Sequence, residues 1–175
     1  MSAADMKATL ERMGWSTETF PGTDWAAEVE NEAGRQRNRM VLDQPRRGIE
    51  TIQARKGDEQ MIVSMRATPT GSIVKVAKYE APLAGRTLDQ IRTEMQRRYG
   101  PASISQPGPS VDMTWCMGGE RCRSSYGTAN GALHVSTDVY NKLLIVMDEG
   151  VTAERAWRAK LAAAAGSGAP PKSSF

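Results

Sequence analysis

The stretch Gly85-Arg86-Thr87-Leu88-Asp89-Gln90-Ile91, running on through Met95 to Tyr99-Gly100-Pro101, decides the fold. Thr87 followed three residues later by Gln90 is a capping box, in which each side chain accepts a backbone N–H of the other's residue. Leu88, Ile91 and Met95 fall on one face at helical spacing. Gly100 supplies the left-handed residue that ends a helix, and Pro101 cannot continue one. A short amphipathic helix therefore stands mid-chain, and both flanks read as strands.

Before this helix come three strand-like stretches, residues 49–55, 60–67 and 72–79. The second alternates Met61, Val63 and Met65 on one side, and the third carries Ile73, Val74 and Val76. Gly57-Asp58 and Pro69-Thr70-Gly71 separate them by short turns, which makes an antiparallel meander. After it, a Ser/Pro/Gly-rich loop at 102–110 leads to strands at 111–116, 131–139 and 142–148, with Met113 and Trp115 on the face of Val111. Near the N-terminus, Ser2-Ala3-Ala4-Asp5 opens another helix with Met6, Leu10 and Met13 on one stripe, and Gly14 stops it. Residues 17–33 stay open: Pro21-Gly22 marks a turn, while Trp25-Ala26-Ala27-Glu28-Val29 fits a helix after Asp24 or a strand equally well. Thr152-Ala153-Glu154-Arg155 starts a C-terminal helix carrying Trp157 and Leu161. The fold class is thus α+β, with two helix-then-antiparallel-βββ units at 1–83 and 84–150, a possible tandem repeat. A helix at 151–165 and a disordered tail at 166–175 complete the chain.

The chain has 175 residues, 39% of them hydrophobic, enough for one core and outside the collagen-like, disulfide-dense and disordered classes. No apolar run reaches the roughly 18 residues of a membrane-spanning helix. The net charge of +3 is uneven, with the basic excess between residues 35 and 100. That segment holds only Tyr79 and Tyr99 as aromatics, too few stacking platforms for nucleic acid to be the expected partner.

Candidate functional residues are few. Arg35, Arg37 and Arg39 alternate with Gln36 and Asn38, so an extended backbone would place the three guanidinium groups on one face, either a charged edge strand or an anion contact. Trp15 and Trp25 flank an acidic N-terminal third and are expected to be exposed; with the three arginines they form the candidate partner-binding set. Cys116 and Cys122 would face one another if 111–116 and 122–126 are hairpin arms. A disulfide follows from that reading, and an ordinary reduced pair is the alternative. No metal site is expected, because the spacing is wide and the chain has one His. His134, Ser136 and Asp138 share one strand face, but same-face neighbours about 7 Å apart are too distant for a triad. No phosphate loop occurs, so neither a cofactor nor a catalytic residue is implied. The ten methionines read as core filling at Met61, Met65, Met95 and Met113, or as a partner surface.

The run Gly85-Arg86-Thr87-Leu88-Asp89-Gln90-Ile91 with Tyr99-Gly100-Pro101 resembles the helix opening of small bacterial envelope domains. It is similar to the helix-plus-sheet repeat of outer-membrane-assembly lipoproteins and, as a tandem pair, of β-lactamase inhibitor proteins. The match covers about a sixth of the chain, and the first helix departs from it, since Gly14 is followed by Trp15. The resemblance implies a non-catalytic protein-binding or inhibitor module of the bacterial cell envelope whose sheet face or loops grip another protein. Placement in the periplasm supposes a leader already removed, because residues 1–13 lack a charged start and an apolar core. The alternative, favoured by reduced cysteines, is a cytoplasmic chaperone or adaptor for a secreted or regulatory client.

Overall fold

A computed structural model describes residues 1–39, 45–117 and 130–166 of the protein. In chain order its elements are α1 (Ala3–Arg12), β1 (Ser16–Gly22), α2 (Trp25–Gln36), β2 (Gly48–Lys56), β3 (Glu59–Thr68), β4 (Gly71–Pro82), α3 (Leu88–Tyr99), β5 (Ile104–Ser105), β6 (Asp112–Cys116), β7 (Ala132–Thr137), β8 (Lys142–Asp148) and α4 (Gly150–Gly166). The fold is α+β, with the strands of one antiparallel sheet in the order β1-β2-β3-β4-β8-β7-β6-β5. Two compact units divide the chain. The first comprises Met1–Ala54, Val63–Lys75 and the residues from Glu154 on; the second comprises Arg55–Ile62 and Val76–Ala153.

In the first unit α1 begins where Ser2 accepts the Asp5 N–H at 3.2 Å. It ends at Met13, with Gly14 at φ 81° directly after. Leu10 is buried, but Met13 is 59% exposed, because the cap turns it out of the helix stripe. Glu11 accepts from Lys7 Nζ and from Thr17 Oγ1, both at 2.7 Å, so α1 is tied to the strand that follows it. These two hydrogen bonds, Lys7 first, hold the Glu11 carboxyl below the usual carboxylate range.

The open segment divides after Gly22: Pro21 and Gly22, expected to mark a turn, instead close β1, an edge strand where proline is tolerated. α2 then begins once Asp24 accepts the Ala27 N–H at 2.9 Å. Helix prevails because that cap is followed by a face, Trp25, Val29 and Ala33, which packs with Trp157, Leu161 and Ala165 of α4. The meander β2-β3-β4 forms as expected, with Ile52, Ala54, Val63 and Met65 buried.

The extended arginine stripe is not present. Arg35 lies in the last turn of α2, Arg37 is the C-cap, and Asn38 at φ 52° turns the chain before Arg39. The cations suit the carbonyl end of the helix dipole, and helical continuation outweighs the two-residue alternation. The tryptophan expectation is also corrected. Trp15 is only 7% exposed, a core residue, and Trp25 is half-buried against Trp157 in an edge-to-face pair with centroids 6.5 Å apart.

In the second unit the capping box of α3 forms in both directions: Gln90 N–H to Thr87 Oγ1 at 3.2 Å and Thr87 N–H to Gln90 Oε1 at 2.8 Å. Ile91 and Met95 enter a core with Val111, Met113, Trp115, Val135 and Leu143. Core filling is the role of Met95 and Met113 here and of Met65 in the first unit, all buried, whereas Met61 is only half-buried. Trp115 Nε1 donates to the Gly100 carbonyl at 2.9 Å, fastening the sheet to the end of α3. Register runs Thr114 to His134 and His134 to Val146, and β4 joins through Tyr79 to Ile145. Inside the loop expected at 102–110 lies the two-residue β5, paired with Thr114 and Met113. Cys116 ends β6; Cys122, the arm at 122–126 and the tail beyond 166 lie outside the described residues.

Candidate functional site

The β7–β8 connection is a hairpin tip built from Asp138, Val139, Tyr140 and Asn141. Strand β7 stops at Thr137, short of the expected 139, because the Asp138 carboxylate accepts the backbone N–H groups of both Tyr140 and Lys142 at 2.9 Å. Asn141 takes φ 57°, donates its N–H to the Asp138 carbonyl at 3.2 Å and accepts from Leu83 N–H at 3.2 Å. The Asp138 carboxylate thus closes the turn on its own backbone. At its apex Val139 is 90% exposed and Tyr140 79%, the highest values among large apolar side chains of the described residues. A hydrogen-bonded turn thus presents two apolar side chains to water, where turn positions ordinarily carry small or polar residues.

The first unit holds a cleft of about 440 Å³. One wall comes from β3, β4 and α4. Arg66 of β3 is 6% exposed; its guanidinium is paired with Glu154 of α4 and lies 4.9 Å over the Trp157 ring. Trp157 is itself fixed by its indole N–H, which donates to the Ala67 carbonyl at 2.8 Å. Arg158 Nε reaches Glu154 at 2.8 Å and Lys75 Nζ lies 3.8 Å from it, so three cations surround one carboxylate. The other wall carries Glu28, whose carboxylate accepts from Thr23, and Glu50, which stands beside Gly22. Any β-carbon at Gly22 would collide with the Glu50 side chain and backbone, so glycine permits this wall.

The sequence-derived residues meet these sites only in part. Trp25 reaches the cleft indirectly, through its ring contact with the lining residue Trp157. Trp15 belongs to the core, and Arg35, Arg37 and Arg39 are exposed at the C-terminal end of α2, with Arg35 paired to Glu32 at 2.7 Å. His134 does not gather Ser136 and Asp138. Its Nδ1 bonds Thr114 Oγ1 across the sheet at 3.0 Å, Asp112 stands 3.8 Å away, and Asp138 is committed to the hairpin turn. Among the described residues no group of His, Cys, Asp or Glu could hold a metal ion, and no helix is long and apolar enough to cross a membrane.

The tip had a readable signal: a four-residue connection holding Val-Tyr between an Asp and an Asn is a turn with presented side chains. The cleft had none, because Arg66, Lys75 and Glu154 are separated by up to 88 residues. No family model, curated protein or solved structure matches this chain.

Proposed function

We propose that this chain is a non-catalytic protein-binding module of the bacterial cell envelope that inserts the Val139–Tyr140 tip into an apolar pocket of its partner, in the manner of an inhibitor loop. One observation carries the reading: two large apolar side chains stand 90% and 79% exposed on a turn locked by Asp138. Leaving them in water forgoes about 1.5–3 kcal/mol each that burial would supply. A preformed tip loses little conformational freedom on docking, which favours affinity. Tyrosine is also among the residue types that dominate interface energetics. The resemblance of the α3 segment to envelope repeats agrees with this reading, and a Cys116–Cys122 bridge belongs to it.

The test is photo-crosslinking in the native cell. A benzophenone amino acid replaces Tyr140 in one strain and the exposed Lys160 of α4 in another. The expected result is a discrete adduct from position 140 that disappears when Val139→Asp is added and is absent from position 160. The same adducts from both positions, or none from 140, would remove the tip as the binding surface.

A further inference from the structure

We infer that the cleft of the first unit binds the C-terminal end of a peptide, with the terminal carboxylate at Lys75 and Arg158 and the chain lying along the Glu28–Glu50 wall. The charge count around Glu154 points to an anion. Arg66, Lys75 and Arg158 all come within 4.0 Å of its one carboxylate, leaving two positive charges in excess. Lys75 and Arg158 are 45% and 65% exposed, so their charged ends are accessible to an incoming group, whereas Arg66 is buried and holds Glu154 in place.

Two features narrow the anion to a monocarboxylate on an apolar carrier. Glu28 and Glu50 across the cleft oppose a polyanion such as phosphate, yet offer acceptors to the backbone N–H groups of a peptide. Ile49, Met65 and Trp157 supply apolar lining for the last side chain. The cleft's volume of about 440 Å³ suits a short chain end, and capture of a terminal carboxylate by fixed donors is a recurrent recognition mode. Arg46, exposed at the lip, adds to the positive field. This site is separate in residues and chemistry from the hairpin tip.

The experiment is an NMR titration of the full chain, ¹⁵N-labelled, with acetyl-Ala-Ala-Leu bearing a free carboxylate, followed at the Trp157 indole N–H. The same peptide as its C-terminal amide, and inorganic phosphate, serve as the comparison ligands. The free acid should shift the Trp157 signal in a saturable way, and the amide should bind at least about tenfold more weakly, with phosphate failing to displace the acid. Lys75→Met with Arg158→Met should lower affinity for the acid by a similar factor while the melting temperature holds. Equal binding of acid and amide, displacement by phosphate, no saturable shift, or unchanged affinity in the double variant would each overturn the proposal.

Discussion

Glu154 is the residue on which the charge arrangement of the first unit turns. It neutralises Arg66, whose side chain is 4% exposed, while keeping 26% of its own surface in solvent. The two halves of this pair are therefore unequal. Glu154→Ala leaves a buried guanidinium without its carboxylate and should cost about 3 kcal/mol, the low end for breaking a buried pair because water reaches one side. Arg66→Met leaves Glu154 with Arg158 and Lys75 and should cost about 1 kcal/mol. Urea denaturation of both variants checks the order, and equal losses would contradict it. Tyr79 in the second unit titrates abnormally: burial first, then its hydrogen bond to Glu59, pushes the phenol up to about 12. The folded state thus holds this proton more tightly than the unfolded chain, whose phenol ionises near 10. Its contribution is complete below pH about 10 and is lost as pH rises through about 12. Tyr79→Phe should flatten the fall in urea midpoint across that window, whereas curves parallel to the wild type would refute the assignment.

Elements were legible where local chemistry and burial agree. α3 carries its cap, stripe and stop within 15 residues, from Thr87 to Pro101, and it forms as read. Thr87→Ala removes one arm of the reciprocal box and should destabilise the protein by about 1 kcal/mol, measured as a lower thermal midpoint with unchanged helical signal. The 49–79 meander was equally plain, because short turns separate alternating apolar runs. Reading failed where two periodicities compete. In residues 35–39 the charges alternate like a strand, but they continue a helix that already has its N-cap at Asp24 and its buried face at Val29. β5 was invisible because two residues carry no pattern; it exists through pairing with Thr114 and Met113. Tryptophan exposure could not be read either: Trp15 follows a helix stop, a boundary that sequence leaves neutral between surface and core, and only tertiary packing decides.

At the scale of the molecule, α+β was readable from the order of strands and helices, while the sites were not, because both the cleft and the fate of His134 depend on residues brought together across strands. The hairpin tip went unread although its residues are consecutive, because the strand expected at 131–139 runs into the turn, whereas β7 ends at Thr137. Cell compartment belongs to this scale as well. A Cys116–Cys122 bridge should appear as two sulfurs that resist alkylation in the denatured, unreduced protein, with a mass two hydrogens light; two alkylated cysteines would favour the cytoplasmic chaperone or adaptor reading. The central claim is that the tip makes the protein-binding contact. The most direct test takes the partner crosslinked at position 140 and measures its Kd for the wild type and for Tyr140→Ala. An anchor worth at least about 2 kcal/mol requires roughly thirtyfold weaker binding with an unchanged melting temperature. A Kd within about twofold of the wild type would contradict the account.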